Sequence, residues 1–408
     1  MSAAVVRPIF PFREPWWAWA SDTVSCRWMQ LLEYYTDPTQ RTEWDIPVEF
    51  RELIDQVSAL ALPRTPINIA TEVPLEISSR GMSPKKAHEV TQSVAYISNL
   101  LHSLGVDPHG VRIVDIGAGQ GYLTRALQLH LGTRHLLALD SSGSPDPGNL
   151  SSQEEGEADP APVLLVALHA CGSLTPDILR TFFIQQDAPK DRRLWTPVGV
   201  IAVGCCYNLL APQDFPISKR MSTSPPISLA TSAYHMAAQI PAQWFRTPDS
   251  RADATLALRK VVWRAIIGAR FAKTVKTTEQ AESIKEDGTG DRPVMRRLGR
   301  LNNNVYTDWK TFAVVAGERI GVDLGPDNEL DAEEKALISE LEVLHVLRCI
   351  IGPLVESLII MDREQWVQEH LDERRDGRYA SRVSQSVRPV NRERAEYRVG
   401  SRPPPTNR

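Results

Sequence analysis

Residues Val111 to Leu123 read Val-Arg-Ile-Val-Asp-Ile-Gly-Ala-Gly-Gln-Gly-Tyr-Leu. Val111 to Ile116 is a short apolar run rich in β-branched residues that stops at Gly117, the pattern of a buried parallel strand. Glycines follow at alternate positions: Gly117, Gly119 and Gly121. Leu123, Leu127 and Leu131 then recur at helical spacing, the stripe of a packed helix face. The stretch therefore predicts a strand, a glycine turn and a helix. Glycine belongs where a chain turns sharply and where a ligand must approach the backbone closely.

Dinucleotide-binding turns space their glycines as G-x-G-x-x-G. Here the spacing is G-x-G-x-G, with Asp115 two residues ahead of the first glycine, which speaks against an NAD-type oxidoreductase. The next apolar run, His135 to Leu139, ends in Asp140, 23 residues after Gly117. A glycine turn with an acid at the tip of each of two successive strands resembles motif I of class I S-adenosylmethionine-dependent methyltransferases. In those enzymes the first acid and the turn hold the amino-acid end of the cofactor, and the second acid holds the ribose hydroxyls.

More strands follow. Val163 to Leu168 ends in His169-Ala-Cys171-Gly172, and Val198 to Val203 ends in Gly204-Cys205-Cys206-Tyr207. Strands alternating with helical patterns predict a parallel α/β sheet, whose ligands bind at the carboxyl ends of its strands. Asp115, Asp140, His169, Cys171, Cys205 and Cys206 would all stand on that edge. Ser83-Pro84 opens a helix ahead of the first strand, an N-cap followed by proline at the first helical position. Lys85, Lys86 and His88 fall in its first turn, where cations oppose the helix dipole; an anionic ligand or a carboxylate partner nearby would account for them.

The 408 residues allow two or three domains, with 42% hydrophobic residues and a net charge of −4. That charge argues against wholesale coating by nucleic acid but leaves room for a local basic patch. Cysteines at 26, 171, 205, 206 and 349 form no disulfide framework. They point to a reducing, intracellular compartment, and no secretory signal is read at the N-terminus. Val343 to Met361 is the most apolar window. It holds His345, Arg348 and Glu356, so a core helix is expected there rather than a membrane span.

Residues 1–80 read as a helical extension carrying half of the ten tryptophans. Residues 81–250 read as the sheet domain, interrupted by a proline-, serine- and acid-rich insert, 141–162, expected to be disordered. Residues 251–371 read as helical, with 12 Lys and Arg against 6 Asp and Glu in 251–300. From Asp372 on, ten arginines stand against five acids; a disordered basic tail over 372–408 is expected.

His169 with Cys171, Cys205 and Cys206 has metal-ligating residue types, but the spacings are tighter than the usual C-x-x-C of zinc sites. Cys205 and Cys206, read as neighbours on a strand, would diverge, so no metal is expected and cysteine as small core filler is preferred. His169 reads either as a general base or acceptor-positioning group, suited by its near-neutral pKa, or as a hydrogen-bonded structural histidine.

Five motifs in order carry a resemblance: Met82-Ser-Pro-Lys-Lys-Ala-His-Glu-Val90, Val114 to Leu123, Leu168-His-Ala-Cys-Gly172, Val203-Gly-Cys-Cys-Tyr207, and Gly352-Pro-Leu-Val-Glu-Ser-Leu-Ile-Ile-Met-Asp362. Together they resemble the methyltransferase-like protein 25 family. The His-x-Cys-Gly and Cys-Cys pair is also similar, more distantly, to tRNA 2′-O-methyltransferases. The resemblance implies an α/β, Rossmann-like class I methyltransferase sheet with helical N- and C-terminal extensions, and S-adenosylmethionine as cofactor. It places Asp115, Gly117, Gly119, Gly121 and Asp140 at the cofactor, and His169 with Cys205, Cys206 and Tyr207 on the acceptor and catalytic side.

Two departures stand out. The stretch between Asp140 and the next strand is too short for the two helices and the third strand of such a sheet, and the final apolar strand after Asp362 is replaced by the Arg-rich tail. The expected function is methyl transfer to an unidentified acceptor, RNA or protein, with no membrane partner and no assignable oligomeric state. The competing expectation is an inactive methyltransferase-like interaction module.

Overall fold

The computed structural model describes residues 14–22, 26–37, 45–64, 81–133, 135–140, 161–223, 225–239, 241–245, 247–282, 298–321, 329–373, 379–384 and 396–401. In chain order the helices are α1 (Glu14–Ala20), α2 (Arg27–Thr36), α3 (Val48–Leu60), α4 (Pro84–Ser103), α5 (Tyr122–Leu131), α6 (Leu174–Asp187), α7 (Pro248–Glu282), α8 (Trp309–Ile320) and α9 (Ala332–Glu373), apart from short α-helical and 3-10 turns. The strands are β1 (Arg112–Ile116), β2 (Leu136–Leu139), β3 (Pro162–Ala170), β4 (Thr196–Gly204), β5 (Tyr379–Ser384) and β6 (Glu396–Ser401). The chain divides into two compact units, one formed by Met1–Ala59 with Ile240–Ile351, the other by Leu60–Gln239 with Gly352–Arg408.

The second unit holds a sheet of order β2-β1-β3-β4-β6-β5. Strands β1 to β4 are parallel, as an alternation of strand and helix requires. Alternation along β3 assigns the faces. Leu164, Val166 and Leu168 join the core under α4 and α5. Val163, Leu165 and Ala167 join the core under α6, together with Val367 and Leu371 of α9. A parallel sheet covered on both faces needs apolar residues at successive positions, which is why its strands read as continuous apolar runs. The register slips between Val163 and Leu164, opposite Pro197, a residue that has no N–H to give a ladder.

The Arg-rich 372–408 segment departs from its expected disorder at fourteen positions, two at the end of α9 and twelve in strands. Tyr379–Ser384 and Glu396–Ser401 form an antiparallel pair, and the second of them pairs antiparallel with β4. The closing strand that the resemblance called for is therefore β6, written in a polar, arginine-rich stretch. Among the described residues no strand lies beyond β2, and the insert at 141–160 lies outside them.

In the other unit the aromatics pack among themselves. Trp16 and Trp19 pack on Phe50, with centroids at 4.8 and 5.8 Å. Trp17 is buried with Tyr306, Trp309 and Phe312. Arginines of the basic 251–300 stretch are drawn into this unit's interior contacts: Arg264 Nε donates to Tyr306 Oη at 2.9 Å, and Arg270 makes a two-pronged pair with Glu334 at 2.7 and 2.6 Å. Helix α7 continues to Glu282.

Helix α9 is long and apolar enough to cross a membrane, yet 72% of its most apolar window is buried inside the protein. It also carries buried Glu340, Glu356, Asp362 and Arg363, as a core helix can where each charge has partners. Asp362 accepts Ser218 Oγ at 2.7 Å, Ser218 N–H at 2.9 Å and Ile217 N–H at 2.9 Å. Glu356 accepts Tyr207 Oη at 3.1 Å and pairs with Arg64. Gly352 is where α9 meets the Met236 carbonyl, 2.3 Å from where a Cβ would stand. The Gly352–Asp362 motif thus ties down the chain that follows β4.

Candidate functional site

Gly117, Gly119 and Gly121 all adopt left-handed backbone, at φ 75, 55 and 66°, a region that costs an L-residue about 1–2 kcal/mol. The turn is pinned to the end of β2: Leu139 O accepts the N–H groups of Gly117 at 2.7 Å and Ala118 at 3.1 Å. Gly119 N–H donates to Asp140 Oδ2 at 2.6 Å. Gly121 caps α5 without a side-chain bond, leaving N–H groups at that helix start for water or a ligand. On Gly119 a Cβ would meet only Asp140 Oδ2, at 3.8 Å. The turn offers close backbone approach, the open helix start offers N–H donors, and the rim carboxylate offers an acceptor to hydroxyls.

The two strand-tip acids occupy different surroundings. Asp140 is exposed at the rim. Asp115 is 1% exposed and accepts Thr124 Oγ1 at 2.6 Å, locking the turn to α5. Burial pushes the Asp115 carboxyl above its ordinary range, while the Thr124 hydrogen bond and the Lys86 charge draw it back. The sign follows. A carboxyl raised in the folded state favours folding in its neutral form, so that contribution is complete below the unfolded pKa of about 3.9 and is lost as pH rises through the folded value. Asp115→Asn is therefore expected to gain on the wild type, in urea unfolding, as pH rises from about 4 towards neutrality. A stability difference that does not change with pH would contradict this.

His169 stands one residue from the end of β3, beside the turn: a Cβ on Gly117 would lie 3.8 Å from its carbonyl. Its Nε2 is 2.7 Å from Lys86 Nζ and 3.4 Å from Glu89 Oε2. An ammonium has only protons to give, so Nε2 accepts from Lys86. Glu89 is buried and lies 3.8 Å from both Lys85 Nζ and Lys86 Nζ. The misplaced cations of α4 thus have a carboxylate partner one turn along their own helix, with Ser83 capping that helix by accepting Lys86 N–H at 3.3 Å. His88, half-buried on the same turn, is not among these contacts. Glu89 and Thr124 are the members that sequence reasoning missed, although each lies within three residues of a named position.

The cysteines correct the expectation that Cys205 and Cys206 diverge. Strand β4 ends at Gly204, so Cys205 and Cys206 lie beyond it and need not diverge. Cys171 Sγ stands 3.0 Å from Cys205 Sγ and 3.3 Å from Cys206 Sγ, which are 3.6 Å apart. Tyr207, expected on the acceptor side, is buried and donates to Glu356. A cavity of about 680 Å³ lined by Met29, Phe245, Arg251, Leu256 and Arg259 belongs to the helical unit and contains none of these residues.

A methyltransferase-domain family matches residues 85–144, from the start of α4 through the turn to just past Asp140. The human protein named "Probable methyltransferase-like protein 25" is 24% identical over 216 residues, 51% of this chain and 32% of the relative. Its mouse counterpart is 24% identical over 211 residues, 50% and 32% of the two chains. The match thus spans about a third of the length of these relatives. No solved structure matches. Residues 85–144 thus match a methyltransferase domain, set on a Rossmann-like α/β sheet, and half of the chain is similar to proteins named as probable methyltransferase-like protein 25.

Proposed function

We propose that this chain is an S-adenosylmethionine-dependent methyltransferase acting on RNA or protein inside the cell. The reading rests on one convergence: the left-handed glycine turn, Asp140 at its rim and the Lys86–Glu89–His169 cluster share the carboxyl edge of β1, β2 and β3. When bound, the cofactor supplies an electrophilic methyl group. The chain's own task is to place an acceptor in line with it, and positioning of this kind supplies much of the acceleration. Gly117 to Gly121 offer close backbone approach, and Asp140 offers a carboxylate to hydroxyls. Lys86, itself beside Glu89, holds the His169 ring at Nε2 near the turn, where the ring can orient an acceptor group or exchange its proton. The cysteines, none of them in a disulfide, suit a reducing compartment.

A second reading, an interaction module without catalysis, is favoured by the absence, among the described residues, of a strand beyond β2. Titration calorimetry separates the two. The full chain is expected to bind S-adenosylmethionine and its demethylated product; no heat at millimolar concentrations sinks the catalytic reading. Transfer of a labelled methyl group to total RNA or to total protein then assigns the acceptor.

A further inference from the structure

We infer that Cys171, Cys205 and Cys206 form a zinc site at the carboxyl ends of β3 and β4, with three thiolate ligands and one position open to a fourth. The inference stands independently of the methyl-transfer reading.

The three sulfurs come from segments 34 residues apart, so tertiary structure brings them together. The backbone is held for it: Gly172 N–H donates to Cys206 O at 3.1 Å, and Leu209 N–H to the same carbonyl at 2.9 Å. Gly172 is left-handed at φ 48°, and a Cβ there would lie 2.4 Å from Leu209 O. Only a residue without a side chain lets the two segments close.

Core filling does not explain the arrangement. Cys349 shows what a filler cysteine looks like: it is 2% exposed, and burial pushes its thiol up to about 12. The three clustered cysteines are half-buried at the sheet edge, within reach of an ion. Their sulfurs are the one group among the described residues whose His, Cys or carboxylate atoms all lie within 4.8 Å of one another in threes or more.

Thiolates on bonds of about 2.3 Å in a tetrahedron stand about 3.8 Å apart. The present separations of 3.0, 3.3 and 3.6 Å need to open by less than ~1 Å. Each thiol gives its proton to solvent as its sulfur coordinates. Thiolates select zinc or copper(I) among the common ions, and three protein ligands with a vacant fourth position match zinc sites that take water or substrate. His169 is not part of the set: the group within 4.8 Å holds the three cysteines alone, and its Nε2 is held by Lys86 at 2.7 Å.

The test uses the full chain purified without chelator, with metal content measured by mass spectrometry. About one zinc per chain is expected, falling roughly tenfold or more in Cys171→Ser and in Cys205→Ser, and unchanged in the control Cys26→Ser. Near-ultraviolet circular dichroism shows whether each variant is folded. Protein stripped of metal under reducing conditions and titrated with cobalt(II) alone is expected to develop sulfur-to-cobalt charge-transfer absorption, absent in Cys206→Ser. The inference is overturned by metal-free protein without cobalt absorption, by metal lost equally in Cys26→Ser, or by a disulfide found between two of the three in place of metal.

Discussion

Gly172→Ala is expected to cost about 3 kcal/mol of stability, combining left-handed strain with overpacking, and to empty the thiol cluster. The added methyl carbon would lie 2.4 Å from Leu209 O, 2.7 Å from Leu209 C and 2.7 Å from Leu209 Cβ. Two of these are backbone atoms and cannot swing aside. The chain from Cys205 to Leu209 is itself held, by Glu356 on Tyr207 and by Gly172 N–H on Cys206 O. It can yield only by giving up those bonds. Gly105→Ala is the matched control. Gly105 is left-handed at φ 64°, with nothing within 4 Å of an added Cβ, so it should lose only the backbone term, about 1 kcal/mol. Urea unfolding of both variants, read on the same transition, gives the comparison. Equal losses would mean that the collision with Leu209 is absorbed and that the two segments are not clamped as described.

Much of this was legible in the residues. The continuous apolar runs of β3 and β4 announce a sheet buried on both faces, and the turn after Ile116 announces its left-handed glycines. The final strand was illegible for a physical reason. Glu396–Ser401 reads Glu-Tyr-Arg-Val-Gly-Ser, with no apolar run to mark a buried strand, and its place comes from pairing with β4, a long-range match that composition does not encode. The convergence of Cys205 and Cys206 was missed because alternation was carried past Gly204, where β4 ends; an irregular backbone lets adjacent side chains turn the same way. Glu89 was given no role because it stands on an apolar helix face, where a carboxylate gains its meaning only from Lys85, Lys86 and His169 around it. Tyr207 was offered as an acceptor-side group, and its bond to Glu356 lies 149 residues along the chain, beyond the reach of spacing arguments.

Gly119→Arg decides between the two functional readings. Gly119 sits at φ 55°, so any side chain there is strained, but its Cβ would meet only Asp140 Oδ2 at 3.8 Å. The fold is therefore expected to survive with a loss of about 1–2 kcal/mol. The guanidinium falls beside the Asp140 carboxylate and is expected to pair with it, filling the rim and taking the acid that the catalytic reading assigns to hydroxyls. Affinity for S-adenosylmethionine should drop at least ~100-fold, about 3 kcal/mol, and methyl transfer with it. Gly119→Ala carries the same backbone strain without the guanidinium, and should lose roughly tenfold or less. The interaction-module reading expects otherwise: a folded Gly119→Arg chain would keep its partners in pull-downs and fully restore cells lacking the protein. If it does so, the glycine turn is a relic of the fold and the catalytic reading falls. If it fails to restore them while circular dichroism shows a native fold, the cofactor site is what the cell requires of this chain.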